Sequence, residues 1–130
     1  MIPKFRAVFK NKIISEVGSI DFINKTVTIP IYDKETDEYL ADYELSLNLV
    51  TLMQSTGKMA STGQVEVYAG DILYYPDQDE DNYGIIKFDK DTLAFVLDNG
   101  YERFVYGDYG MGKIIGNIYE NPELVEGIND

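Results

Sequence analysis

At 130 residues the chain fits one compact unit with an apolar interior, or two very small ones sharing a core, and is too short for a large multidomain enzyme. It has neither His nor Cys, which excludes Ser-His-Asp and Cys-His catalysis, thiolate metal sites and any disulfide framework. A net charge of -12 opposes attachment to nucleic acid, where lysine and arginine must displace counterions from phosphate.

Eleven tyrosines and six phenylalanines among many Val and Ile suit half-buried pleated surfaces and point to an all-β protein, mainly antiparallel. Phe5 to Phe9 and Ile13 to Val17 read as strands. Ile20 to Phe22 leads through Asn24 and Lys25 into Thr26 to Ile31, where Val27, Ile29 and Ile31 share a face. Pro30 lacks an amide donor and marks an edge strand or a strand end. Beyond the polar turn Asp33 to Asp37, Tyr39, Ala41, Tyr43 and Leu45 alternate with Glu38, Asp42 and Glu44, which predicts one buried and one wet face. Residues 46 to 54 mix helical and strand spacing and are read as a short helical turn entering a strand. Gly57 and Gly63 then bracket a polar loop, the best place for a division of the chain.

The second part reads as a small barrel. Val65 and Val67 precede YAGD at 68 to 71, where Gly70 is expected to take a positive φ or to allow close backbone approach. Ile72 to Tyr74, Tyr83 to Phe88, Thr92 to Leu97, Arg103 to Tyr106 and Lys113 to Tyr119 are the following strands. Asn99-Gly100 predicts a two-residue type I′ hairpin loop. The expected organisation is an N-terminal β region at 1–51, an SH3-like small barrel at 52–124 and a tail at 125–130, frayed from Glu126 onward.

Four separated stretches, KFRA at 4 to 7, LMQSTG at 52 to 57, QVEVYAGDIL at 64 to 73 and GNIYENPEL at 116 to 124, resemble in the same order the signature segments of the YopX family of phage and prophage proteins. Ser55 replaces the aromatic residue usual in that family, and KMAST at 58 to 62 lacks its charged sequence. The resemblance implies a fold with an SH3-like C-terminal part and a phage or prophage origin. It implies no reaction and assigns no catalytic residue. Within GNIYENPEL, Ile118 is expected to face the core, Asn117 and Asn121 to bond local backbone, and Pro122 to end the strand.

Few residues carry chemistry. Asp77, Asp79 and Asp81 have the spacing of the first ligands of a calcium loop, but Asn82 replaces the usual Gly and Phe88 the bidentate Glu. GDYGMGK at 107 to 113 fits the spacing of a phosphate-binding loop, yet Ile114 stands where Ser or Thr should hold magnesium. Pro76-Asp77 resembles the start of a nuclease motif whose acid-x-Lys continuation is missing from the chain. No cofactor and no metal is therefore expected. Lys4, Arg6, Lys10 and Lys12 precede the first acid, Glu16, whereas 33–44 and 77–81 are strongly acidic. Solvated charge on strand edges is the simplest account, and pairing of the basic with the acidic surface, either intramolecular or head-to-tail into a homo-oligomer, is the alternative.

The reading is a nonenzymatic phage or prophage accessory protein that binds an unknown protein partner in the host cytoplasm, with no membrane segment and no nucleic-acid site. The alternatives are an acidic mimic of DNA that inhibits a DNA-binding protein, and a metal-dependent carboxylate enzyme. Raising monovalent salt from low to physiological strength is expected to raise the melting temperature, because screening over about 10 Å weakens repulsion among the clustered carboxylates. Calcium at equal ionic strength should add little. A saturable calcium shift abolished by Asp79→Asn would establish a metal site instead.

Overall fold

A computed structural model describes residues 4–60, 65–77, 80–106 and 112–126. All regular structure there is antiparallel strand apart from two short 3₁₀ turns. Packing divides the chain into two units, Ile2–Gln54 and Ser55–Asp130, with the division inside a strand.

In the N-terminal unit β1 (Phe5–Phe9) and β2 (Lys12–Glu16) form a hairpin. Lys10 and Asn11 both take positive φ, 51° and 63°, the two-residue type I′ geometry that matches strand twist. β3 (Ser19–Asp21) follows β2 closely: the Val17 amide donates to the Phe5 carbonyl and the Gly18 amide to Thr28. β4 (Thr26–Tyr32) lies between β3 and β5 (Tyr39–Ser46). Val27 and Ile29 are buried on one face of β4, as the alternation requires.

Pro30 sits in a strand with neighbours on both sides, yet costs no ladder bond. It pairs with Asp42 in β5, and the Leu47 amide bonds to Lys25 one step beyond the Thr26–Ser46 pair. Bonded and unbonded pairs alternate in an antiparallel ladder, so Pro30 turns its nitrogen away from β5, toward the side where β3 has already ended.

Residues 47–49 form the expected short helical turn, a 3₁₀ turn capped by Ser46, whose hydroxyl accepts from the Asn48 amide. The strand that follows, β6 (Thr51–Met59), continues past Gly57 and takes in the first residues of the stretch assigned to a loop. Its first residues, 51 to 54, pair with β1. Its second part pairs with β7 (Glu66–Tyr68) through an irregular register, and Gly57 takes φ 76° there.

The rest of the C-terminal unit is a five-stranded sheet of β8 (Asp71–Asp77), β9 (Glu80–Asp89), β10 (Ala94–Asp98), β11 (Arg103–Val105) and β12 (Lys113–Asn117). The order is β11-β10-β9-β8-β12, so the last strand returns beside β8. Val67, Leu73, Tyr75, Ile86, Leu97 and Tyr106 make one core cluster, and Ile72, Ile85 and Val125 a second. Val125, assigned from sequence to the tail, is 2% exposed and anchors the 3₁₀ turn Pro122–Val125 on the sheet.

The YAGD turn joins β7 to β8, with Gly70 at φ 99°. The Gly70 amide donates to Ile86 in β9 at 2.7 Å, and its carbonyl accepts from Ile118 at 2.9 Å. Asp71, 1% exposed, closes the turn by accepting from the Tyr68 amide at 2.8 Å.

The Asn99-Gly100 connection differs from the two-residue loop expected. Asp98 pairs with Arg103, leaving four residues between, and Gly100 alone has positive φ. Asx side chains explain the longer loop. Asp98 accepts from the Gly100 amide at 2.8 Å, and Asn99 accepts from Tyr101 and Glu102 at 2.9 and 2.8 Å. The second Asp98 oxygen takes Lys87 Nζ and Arg103 Nε, each at 3.2 Å, while the Asn99 amide nitrogen donates to the Tyr75 hydroxyl.

Two measurements test these turns. Gly70→Val is expected to lower stability by about 1 to 3 kcal/mol, because a β-branched residue is strained at positive φ; an unchanged melting temperature would refute the clamp. Burial alone would raise the Asp98 carboxyl, but the Gly100 amide, Lys87 and Arg103 outweigh it and hold the group below its ordinary range. A depressed carboxyl stabilises the fold above about pH 4 and stops doing so as pH falls through the folded value. Asp98→Asn should therefore cost about 1 to 3 kcal/mol at pH 7 and progressively less in acid, as read from melts at several pH values.

Candidate functional site

The acidic run singled out as a calcium-like loop spans the end of β8 and the start of β9. Asp79 and the side chains of Asp77 and Asp81 lie outside the described residues, as does 107–111 of the phosphate-loop-like stretch. Among the described residues no three acids gather as a metal set. Lys113, the final residue of that stretch, is the first of β12 and pairs with Tyr74, so a strand stands directly after it where a phosphate loop would open a helix.

The four early cations do not make one patch. Lys4 lies at the start of β1 and reaches Glu16 at 3.9 Å, whereas Lys10 and Lys12 belong to the opposite end of the hairpin. Lys10 Nζ sits over the Phe9 ring, 5.2 Å from its centre.

Ser55 does not present a surface either. It is 2% exposed, donates to Glu66 across the β6–β7 pair and accepts from the Gly57 amide at 3.0 Å. Thr56 beside it donates to the Val67 carbonyl at 2.8 Å. In this chain the position holds a strand irregularity together with polar atoms.

GNIYENPEL is likewise occupied by its own fold. Asn117, buried, accepts from the Tyr119 and Glu120 amides at 3.0 and 2.9 Å and donates to the Glu120 carboxylate at 2.9 Å. Asn121 packs so tightly on Gly116 that a Cβ there would lie 2.5 Å from its Oδ1. Ile118 packs on the Ile72–Ile85–Val125 cluster. Pro122 does not end the strand, which has stopped at Asn117; it opens the final 3₁₀ turn, where its missing amide is not needed.

The surface that stands out belongs to β3, β4 and β5. Every residue of β5 from Tyr39 to Glu44 is exposed, and among the described residues the strand has one neighbour, β4. The register explains how it is built. Ile31 pairs with Ala41 but Tyr32 with Tyr39, leaving Leu40 as an extra residue in a bulge. The bulge moves Tyr39 off the face of Ala41 and Tyr43 and onto that of Asp42 and Glu44, where its ring meets Tyr32 edge-on at 6.0 Å. Alternation read from sequence placed Tyr39 with Tyr43, because a bulge leaves no mark in the polar pattern. A hydrogen bond from the Tyr39 hydroxyl to the Asp42 carboxylate raises the phenol above its ordinary pKa.

Both ends of this sheet are held by Asx turns. Asp33 accepts from the Glu35 and Thr36 amides at 2.8 and 3.0 Å, and the Thr36 and Glu35 bonds hold its carboxyl below the usual range. Asp21 accepts from the Ile23 and Asn24 amides, each at 3.0 Å, and the Asn24 amide is the main cause of its lowered pKa. That second turn displays Phe22 and Ile23 at 75% and 92% exposure. Leu49, also exposed, follows β5 in the adjoining 3₁₀ turn. Sequence reasoning missed this apolar tip; its one signal was a pair of large apolar residues placed directly between Asp21 and Asn24.

Among the described residues no helix is long and apolar enough to cross a membrane. No curated protein matches the chain. The chain is similar to a solved structure, protein EF1440 from Enterococcus faecalis, at 25% identity and a TM-score of 0.68, with 96% of this chain and 99% of that chain covered. The family described as YopX protein matches residues 4–126, nearly the whole length and all of the segments that carried the resemblance. The chain therefore belongs to the YopX family.

Proposed function

We propose that this is a nonenzymatic phage or prophage accessory protein that acts by binding another protein. One observation carries the reading: large apolar side chains stand in solvent on β5 and in the turns that follow β3 and β5 in the N-terminal unit. Phe22, Ile23, Tyr39, Leu40, Tyr43 and Leu49 are all more than half exposed. Scattered apolar residues are ordinary on a protein surface, but six large ones gathered on one strand and the turns beside its sheet are the kind of area a partner covers. Membership of the YopX family supports the phage-type origin. The lack of His and Cys supports a binding role over a catalytic one, since the usual neutral-pH bases and nucleophile activators are missing.

The test is capture of a partner from lysogenic or infected host cells with the tagged full-length chain. A stoichiometric protein is expected, and truncating an anchor by Ile23→Ser or Tyr43→Ser should weaken its capture about tenfold, equivalent to about 1.4 kcal/mol. Recovery of no specific protein from either kind of cell would overturn the reading.

A further inference from the structure

β5 presents more than exposed side chains; its backbone is open along one edge. Leu45, Tyr43 and Ala41 belong to the bonded pairs with β4, because the Leu47–Lys25 bond sets the alternation. Asp42 and Glu44 consequently turn their N–H and C=O groups away from β4, toward the side with no neighbour among the described residues. The edge is eight residues long and has no proline of its own; the bulge at Leu40 and the acids Asp42 and Glu44 are what guard it against chance pairing.

The charges on that edge decide what fits. In a new antiparallel ladder the residues directly opposite Asp42 and Glu44 would be their bonded partners. A second copy of β5 fails this condition. Registers centred on Asp42, Tyr43 or Glu44 each set a carboxylate against a carboxylate, and like charges directly opposite are repulsive. The neighbouring turn adds Asp33, Glu35, Asp37 and Glu38 against the single cation Lys34. On the other face Tyr43 and Ile31 remain exposed and apolar. The matching strand therefore alternates cationic and apolar residues, with lysine or arginine toward Asp42, Glu44 and the Tyr39 ring.

We propose that the free edge of β5 is a strand-addition site for an extended segment of another protein that carries lysine or arginine at alternate positions. This rests on the protein-binding reading above and names the chemistry of the partner. Acids along the edge thus have two effects: they block self-pairing and admit a basic strand.

The probe is a capped, labelled peptide of four Lys-Val repeats, titrated onto the full-length protein while amide exchange is followed by NMR. The Asp42 and Glu44 amides are expected to slow about tenfold or more on binding, whereas that of Tyr43, already bonded to β4, changes little. A peptide of the same composition with its lysines in one block should not slow them. The double variant Asp42→Lys, Glu44→Lys should bind the Lys-Val peptide about tenfold less tightly and gain affinity for a Glu-Val peptide. Equal slowing by the block peptide, binding without slowing, or a dimer of the wild-type chain paired through β5 would each overturn the proposal. Capture from host cells separates it from the broader reading. A partner held equally by wild type and double variant would refute the β5 edge while leaving protein binding intact. A partner lost from the double variant, which melts like wild type, would support both.

Discussion

The C-terminal unit depends on two backbone hydrogen bonds at one residue. Gly70 donates to Ile86 and accepts from Ile118, so the turn before β8 extends the ladders on both sides of that strand by one step. β9 and the segment following β12 are thereby fixed against the same point. Only a residue that tolerates φ 99° can hold that position, and the Asp71 carboxylate bonded to the Tyr68 amide keeps the turn closed. The Ile72–Ile85–Val125 cluster assembles on this frame, because Ile72 and Ile85 are paired across β8 and β9 and Val125 descends from the turn that Ile118 introduces.

In the N-terminal unit the corresponding constraint is register. A single extra residue, Leu40, shifts the pairing of β4 with β5 and reassigns Tyr39 to the acidic face. Its phenol then meets Asp42, and its ring meets Tyr32. A strand that composition alone would make amphipathic in the ordinary sense becomes one with aromatic and acidic groups mixed on one side and Ala41 and Tyr43 on the other. That arrangement suits recognition better than it suits a core, since burying Asp42 or Glu44 unpaired would cost more than the tyrosines return.

The placement of most strands along the chain was legible because period-two alternation follows directly from the pleat. Val27 and Ile29, the Gly70 turn and the short helical turn before β6 all lie where local chemistry places them. Places where tertiary pairing decides the outcome were not legible. The type I′ turn fell to Lys10 and Asn11, a pair without glycine, while Asn99-Gly100 opened into a longer loop because Asp98 and Asn99 each captured backbone amides with their own side chains. Gly57 looked like a strand end and proved to be an irregularity inside one. Val125 shows the same limit: one apolar residue near a chain end carries no periodic signal, and its burial depends wholly on what lies opposite.

The family signature segments and the exposed surface divide the molecule's tasks. GNIYENPEL and the residues around Ser55 are consumed by folding: their polar atoms bond to nearby backbone or to each other, and their apolar atoms fill the C-terminal cores. A motif whose atoms are spent in this way marks a fold and says nothing of a partner. The informative surface lies instead on β3, β4 and β5, which contain none of the four segments that carried the resemblance. On the protein-binding reading proposed above, recognition falls to positions free of the constraints that make the family recognisable, and the edge of β5 is where backbone, charge and apolar area coincide.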